Sequence, residues 1–256
     1  MAGRDRMLAV LDLFSPACPV LTADEVAANL ACSTATAYRH ISRLCSAGLL
    51  ARFQAAYALG PRIIELDHTI RQGDPLLHAA QPIVRELRDA TGCDVLLASM
   101  FGERILAIHH ERGADSSNVS FGRGRPMPLF RGAGSRAIIA SLTSTQQKRL
   151  FIAHRAEAEV LGADWPAFRA AMDRLRRAGH VVSMGELEPH NVGVAAAISA
   201  EGALPASLVL VLSRQRYAIA DKPLIARMVA QAAARISAAL NPNAAPVVSA
   251  RRRLTA

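Results

Sequence analysis

Eight side chains between positions 22 and 52 are of the kinds that bind phosphate oxygens and base edges: Thr22, Ser33, Thr34, Thr36, Tyr38, Arg39, Arg43 and Arg52. Hydroxyls and guanidinium groups donate to phosphate, and arginine also presents a planar fork to a guanine edge. Their spacing predicts two short helices and a hairpin to carry them. Thr22 and Glu25 have the T-x-x-E spacing of a capping box, so a helix is expected to start near Ala23, with Val26, Ala27 and Leu30 on its apolar side. Ala31-Cys32-Ser33 reads as a turn, and Ser33 or Thr34 caps a second helix. In that helix Ala37, Ile41 and Leu44 recur at i, i+4 and i+7 and must face a core, which turns the polar residues outward. Gly48 ends it. Residues 49–53 and 56–59 then alternate as a hairpin, with Arg52 placed for contact with a nucleic-acid backbone. A helical hairpin buried in a larger core is the bland alternative. It gives no reason for one helix to present two threonines, a tyrosine and two arginines, so double-stranded DNA is the expected partner.

A second group could act on small molecules. Gly132-Ala133-Gly134 precedes a helical run, and small residues there let backbone amides approach an anionic or carbonyl group. A tight turn alone would need the same glycines. Asp94, Glu186, Glu188, His109, His110, His180 and His190 supply acid–base groups. None falls in an H-E-x-x-H, a G-x-S-x-G, a Walker loop or a G-x-G-x-x-G before a helix, so no catalytic residue is assigned. His109 and His110 are adjacent on a strand, one ring facing in and one out, and Glu186 reads as holding a turn or a dimer contact. Cys18, Cys32, Cys45 and Cys93 form no C-x-x-C pair and have no histidines at zinc-ligand spacing. No metal, cofactor or disulfide framework is expected, and the thiols read as reduced.

Composition sets wide bounds. The 256 residues are 51% hydrophobic and carry a formal net charge of +9, which favours loose association with polyanions. Residues 1–60 hold five arginines against four acidic residues, so most of the excess lies elsewhere and does not locate the DNA site. The opening MAGRDRML does not read as a signal peptide. The apolar run 192–212 is interrupted by Glu201, Gly202 and Pro205, and reads as two strands rather than a membrane span. A cytoplasmic chain with no membrane partner is expected.

The elements that position these groups follow from periodicity. Met7 to Phe14 form a first helix. Pro61 opens another, with Ile63, Ile64, Leu66 and Ile70 on its apolar face as far as Gly73. Asp74-Pro75 restarts a helix that runs to Gly92, with Pro82 expected to bend it. Strand pairs are expected at 95–100 with 104–109 and at 194–199 with 207–213. Helices are expected at 132–142, 145–154, 165–178 and 221–240. Residues 242–256 carry Arg251-Arg252-Arg253 and read as a disordered basic tail. The implied units are 4–61, a linker helix at 62–74, a second domain at 75–241 and the tail.

Taken in order, LDLFS, LTADEVAANL, STATAYRHISRLCSAGLL, the Y-x-L-G of Tyr57 to Gly60, PMPLFRGAGSRAIIASL at 126–142 and GHVVSMGELEPHNVGVAAAIS at 179–199 resemble IclR-type transcriptional regulators over nearly the whole chain. The resemblance implies an α+β protein with an N-terminal winged helix-turn-helix, a linker helix and a GAF-like effector-binding domain built on a curved antiparallel sheet. It also implies a homodimer or homotetramer. It raises Gly132 and Ala133 as effector-binding residues, with Met100, Phe130, Ser183, Gly193, Leu210 and Leu212 as walls. His190 stands where relatives usually have glycine, Ala197 where proline is frequent, and Leu210 and Leu212 where hydroxyl residues are frequent. An apolar last strand suggests an effector with an aromatic or aliphatic body and one polar or carboxylate end. The implied function is a repressor on a palindromic operator. A ligand-dependent activator of a catabolic operon is the alternative, and an enzyme with an accessory DNA-binding domain is a remoter one. A purely architectural DNA binder would not need a second domain of this size.

Overall fold

The Thr22 hydroxyl accepts from the Glu25 amide at 3.3 Å while the Glu25 carboxylate accepts from the Thr22 amide at 2.7 Å. This capping box starts α1 (Ala23–Asn29), and the Thr22 backbone bond holds the Glu25 carboxyl below its ordinary range. The computed structural model describes residues 6–116 and 122–241, so the tail expected at 242–256 lies outside the described residues. The chain divides into two compact units at Asp74 and Pro75.

In the first unit, the turn after α1 places Ala31 in the left-handed region at φ 49°, and α2 (Thr34–Ser46) follows with Ser33 as its cap. Gly48, at φ 72°, ends α2 by letting the Leu49 amide reach back to the Leu44 carbonyl at 2.9 Å. The wing is β2 (Leu50–Phe53) and β3 (Ala56–Leu59), and β1 (Val20–Leu21) pairs on the far side of β3. Gly60 is required where the wing returns past α2: a Cβ there would lie 2.2 Å from the Gly48 carbonyl oxygen. Val26, Ala37, Ile41, Leu44 and Leu50 make the core. The first apolar run, expected as a helix, folds as one of the 3-10 kind (Leu8–Leu13). Met7, Val10 and Leu13, and likewise Leu8, Leu11 and Phe14, are spaced by three, which suits the tighter turn. After the wing, α3 (Arg62–Gly73) buries none of its residues and exposes Ile64, Leu66 and Ile70.

The second unit opens with α4 (Pro75–Thr91), which carries Pro82 in its interior. The hairpin of β4 (Asp94–Phe101) and β5 (Arg104–Glu111) joins along β4 to β9 (Ala206–Ser213). With β6 (Pro126–Met127), β7 (Val181–Met184) and β8 (Asn191–Ile198), the order is β6-β5-β4-β9-β8-β7, and every pair is antiparallel. One face, with Val95, Leu97, Leu208, Leu210 and Leu212, packs on α4 and on α10 (Lys222–Leu240). The other carries Leu96, Ala195 and Val209 under α5 (Ala133–Ser141). Beside it, Phe130, Phe151 and Phe168 pack between α6 (Ser144–Ala153) and α8 (Trp165–Ala178). Alternating side chains thus build two cores from one sheet. Residues 192–212 are two strands and their connection, and no described helix is long and apolar enough to cross a membrane.

Candidate DNA-reading face and effector cavity

The outward face of α2 follows from what it buries. Ala37, Ile41 and Leu44 are at most 1% exposed, so the opposite side presents Ala35, Tyr38, Arg39, Ser42 and Arg43 to solvent. Arg39 and Arg43, one turn apart, make no side-chain ion pair among the described residues, and Tyr38 is 54% exposed. Thr22 and Ser33 spend their hydroxyls on helix caps, the latter accepting from the Thr36 amide at 3.2 Å and donating to the Thr36 hydroxyl at 2.9 Å. Thr34 donates to Asp24 at 3.2 Å, tying the start of α2 to α1. Arg52 leans back on the wing, its Nε donating to the Gln54 carbonyl at 3.1 Å. Ala35 and Ser42, too small and plain in type to signal a contact in the sequence, extend the line of Arg39 and Tyr38 by one turn in either direction.

In the second unit, a cavity opens at the N-terminus of α5, under the segment 185–190. It is lined by Leu96, Met127, Ala133, Gly134, Val209 and Val211, with Ser183, Gly193, Asn191 and residues 185–188 closing the polar side. Of the expected residues, Ala133, Ser183 and Gly193 meet here. Gly132 stands at its edge, at φ 83°, where a Cβ would come within 2.7 Å of Leu187. Met100 and Phe130 do not reach it and are buried with Ile105, Leu129 and Phe168. Leu210 and Leu212 are a correction: both point to the opposite face of the sheet, against α4 and α10. The cavity side of β9 belongs to Val209 and Val211, because successive side chains on a strand alternate; Ser207 shares that face without lining the cavity, its hydroxyl 3.3 Å from the Cβ position of Gly134.

The polar groups around this cavity are closely paired. The Ala133 amide donates to the Ser183 hydroxyl at 3.0 Å, and the Gly132 amide to the Glu186 carboxylate at 2.9 Å. Arg136 donates to the other Glu186 oxygen at 2.8 Å, and Arg131 to the Glu186 carbonyl at 2.6 Å. Glu188 accepts from the Asn191 side chain. Ser207 is fully buried and its hydroxyl has no partner. The volume is about 50 Å³, room for a few water molecules. A wider depression at the other end of α5, of about 300 Å³, is walled largely by alanines and backbone. Its cation, Arg176, is engaged with the carbonyls of Ala140 and Leu142, so the α5 N-terminus is the better candidate despite its size.

Elsewhere, His109 lies 3.2 Å from Glu111 and His110 lies 3.6 Å from the fully buried Asp94. Asp94 also accepts from the Gly113 amide and the Ser116 hydroxyl, both at 2.8 Å, an arrangement that secures a turn. Among the described residues no cluster of His, Cys, Asp or Glu is arranged to hold a metal ion. Burial pushes the Cys93 thiol above its ordinary value.

A helix-turn-helix unit with a wing, followed by an antiparallel sheet with helices on both faces, defines a two-unit DNA-binding protein. The sequence matches the IclR helix-turn-helix domain over residues 5–52, and the family described as bacterial transcriptional regulator IclR C-terminal over residues 68–238, more than half of the chain. The chain belongs to the IclR family: it is a transcriptional regulator with DNA-binding and effector domains, not an enzyme. It is 24% identical over 240 residues to the HTH-type transcriptional regulator KipR of Bacillus subtilis (strain 168), covering 91% of this chain and 94% of that protein. An IclR family transcriptional regulator from Brucella abortus has a similar structure, with a TM-score of 0.73 at 20% identity, covering 91% of this chain and 90% of that one. So does an IclR homolog from Microbacterium hydrocarbonoxydans, complexed with 4-hydroxybenzoate, with a TM-score of 0.72 at 21% identity, covering 93% and 98%. At these identities the structural likeness is one of fold.

Proposed function

We propose that this regulator binds a palindromic operator as a homodimer, or a pair of homodimers, and represses transcription until a small-molecule effector enters the cavity at the α5 N-terminus. The observation that carries the reading is the solvent face of α2, where Tyr38, Arg39 and Arg43 stand clear of the core formed by Ala37, Ile41 and Leu44. Such a face suits the major groove, with Thr34, Thr36 and Arg52 at its flanks for phosphate and Thr22 and Ser33 holding the helix ends. Dimerisation is supported by α3, whose Ile64, Leu66 and Ile70 find no partner in the described chain that buries them. A symmetric pair of reading units meets a symmetric site. Repression is the economical sign, since occupancy of DNA suffices for it while activation needs a further surface for the polymerase.

The effector is an apolar-bodied metabolite with one polar or carboxylate end. Leu96, Met127, Val209 and Val211 supply the apolar walls, and Ala133, Ser183 and Gly193 the polar corner. The complex of the Microbacterium protein with 4-hydroxybenzoate is of this chemical kind. The ligand acts through its differential affinity for DNA-competent and incompetent arrangements. A mobility-shift screen on the DNA flanking the gene, repeated with aromatic and aliphatic acids, tests the reading. A discrete complex dissolved by one acid is expected, and binding that is independent of sequence and of every acid would end it.

A further inference from the structure

We propose that Glu186 is an internal ligand, its side-chain carboxylate holding the place at the α5 N-terminus that a carboxylate effector must take, so that such effectors bind by exchanging with it. The inference rests on the effector reading given above and adds the mechanism of entry. The site is filled rather than empty. One Glu186 oxygen takes the Gly132 amide at 2.9 Å, the other takes Arg136 at 2.8 Å, and the Arg131 guanidinium fixes the backbone carbonyl of the same residue at 2.6 Å. One guanidinium, that of Arg136, and a helix-terminal amide therefore converge on the Glu186 carboxylate, as they would on a bound anion, while Arg131 anchors the backbone of the same residue.

Leu187, next in sequence, closes the space beside it. Its Cδ1 lies 2.7 Å from where a Cβ on Gly132 would stand, so a side chain there would displace it, and the φ of 83° at Gly132 favours glycine as well. The segment is tied into a loop by the Gly185 amide donating to the Asn191 carbonyl at 2.8 Å. With Glu186 and Leu187 in place the cavity is about 50 Å³, too small for a benzene ring with a carboxylate. A second observation points to an occupant. Ser207 is fully buried and its hydroxyl lacks a partner, although it lies 3.3 Å from the Cβ position of Gly134, in the first turn of α5. A polar group at that depth is costly unless something bonds to it. A ligand whose carboxylate replaced that of Glu186 would reach the same turn and leave Arg136 paired. Exchange of one carboxylate for another conserves the charge balance, which a neutral ligand cannot do.

Calorimetric titration of benzoate, and of its neutral isostere benzamide, into the full-length protein and its Glu186→Ala and Glu186→Gln variants tests the proposal. Benzoate is expected to bind Glu186→Ala at least about tenfold more tightly than wild type, with Glu186→Gln between them, while benzamide changes by less than about threefold. Equal gains for both compounds, or no gain for benzoate, overturn it. Amide hydrogen exchange decides the matter where neither compound binds any of the three proteins. Protection of the Gly132 amide is expected to be lost in Glu186→Ala and restored saturably by acetate, and failure of acetate to restore it overturns the proposal. The effector reading fails separately, if ligand exchange occurs as stated but leaves operator affinity unchanged.

Discussion

The Ala133 amide and the Ser183 hydroxyl meet at 3.0 Å in the interior, joining the first turn of α5 to the edge strand β7 across 50 residues of sequence. Neither group has an alternative partner in solvent: Ala133 is 2% exposed and Ser183 is 7% exposed. Ser183→Ala would orphan a buried amide, at a cost of about 1–3 kcal/mol. A clear fall in the urea midpoint is expected, and an unchanged midpoint would mean that water replaces the hydroxyl.

Adjacent residues of β9 should respond in opposite ways. Leu210 is fully buried against α4 and α10, so Leu210→Ala should cost about 2–5 kcal/mol and leave the cavity walls untouched. Val211 lines the cavity and is only partly buried. Val211→Ala should cost about 1 kcal/mol while changing effector affinity. Denaturation and ligand titration on the same two variants separate the faces, and a Leu210→Ala protein of wild-type stability would contradict the assignment.

That parity was hidden in the sequence for a physical reason. Residues 208–212 read LVLVL, and β9 is buried on both faces, so no polar residue marks which side is which. The exposed face of α2 was legible because Ala37, Ile41 and Leu44 mark the buried side and the helical period does the rest. The capping box at Thr22 was equally local. Glu186 was readable as a turn holder but not as the partner of Gly132, since 54 residues separate them and only the packing of α5 on the sheet brings them together. The edge strand β7 is not legible in the sequence, because four residues carry too little periodicity to mark a strand.

The acid limb of stability should owe part of its slope to Glu111. Burial alone would raise its carboxyl, but hydrogen bonds from Arg85 and His109 outweigh that and hold it below its ordinary value of 4.5. A depressed folded value means stabilisation that is fully present above about pH 4.5 and is lost as pH falls through the folded value. Glu111→Gln should therefore be less stable than wild type at neutral pH, with the difference closing as the pH drops below about 4.5. Urea midpoints for both proteins from pH 7 to pH 3 check the sign, and a gap that widens in acid would reverse the argument.

The apolar face of α3 makes a prediction about assembly. Ile64 is 75% exposed and Ile70 is 58% exposed, on a helix that buries nothing of its own. Replacing both with glutamate should leave the first unit folded, since neither belongs to its core, and weaken self-association. Sedimentation velocity is expected to show a slower species at equal loading, with far-ultraviolet circular dichroism unchanged. An identical sedimentation profile would move the dimer contact elsewhere.

Arg43 offers the sharpest test of the DNA-reading face, because its two roles predict different data. It is exposed, belongs to the last turn of α2 and has no ion-pair partner among the described residues, so its removal should not unfold the unit. If its guanidinium neutralises a phosphate, Arg43→Ala lowers affinity for every duplex alike and reduces the slope of log affinity against log salt by about 1 for each protomer bound. If it reads a base edge, the slope stays, the loss of about 1–3 kcal/mol is confined to the specific site, and discrimination at one position relaxes. Fluorescence anisotropy on a specific and a scrambled duplex, at three salt concentrations, distinguishes the two. Unaltered affinity and slope on both duplexes would remove Arg43 from the interface and leave Tyr38 and Arg39 to carry it.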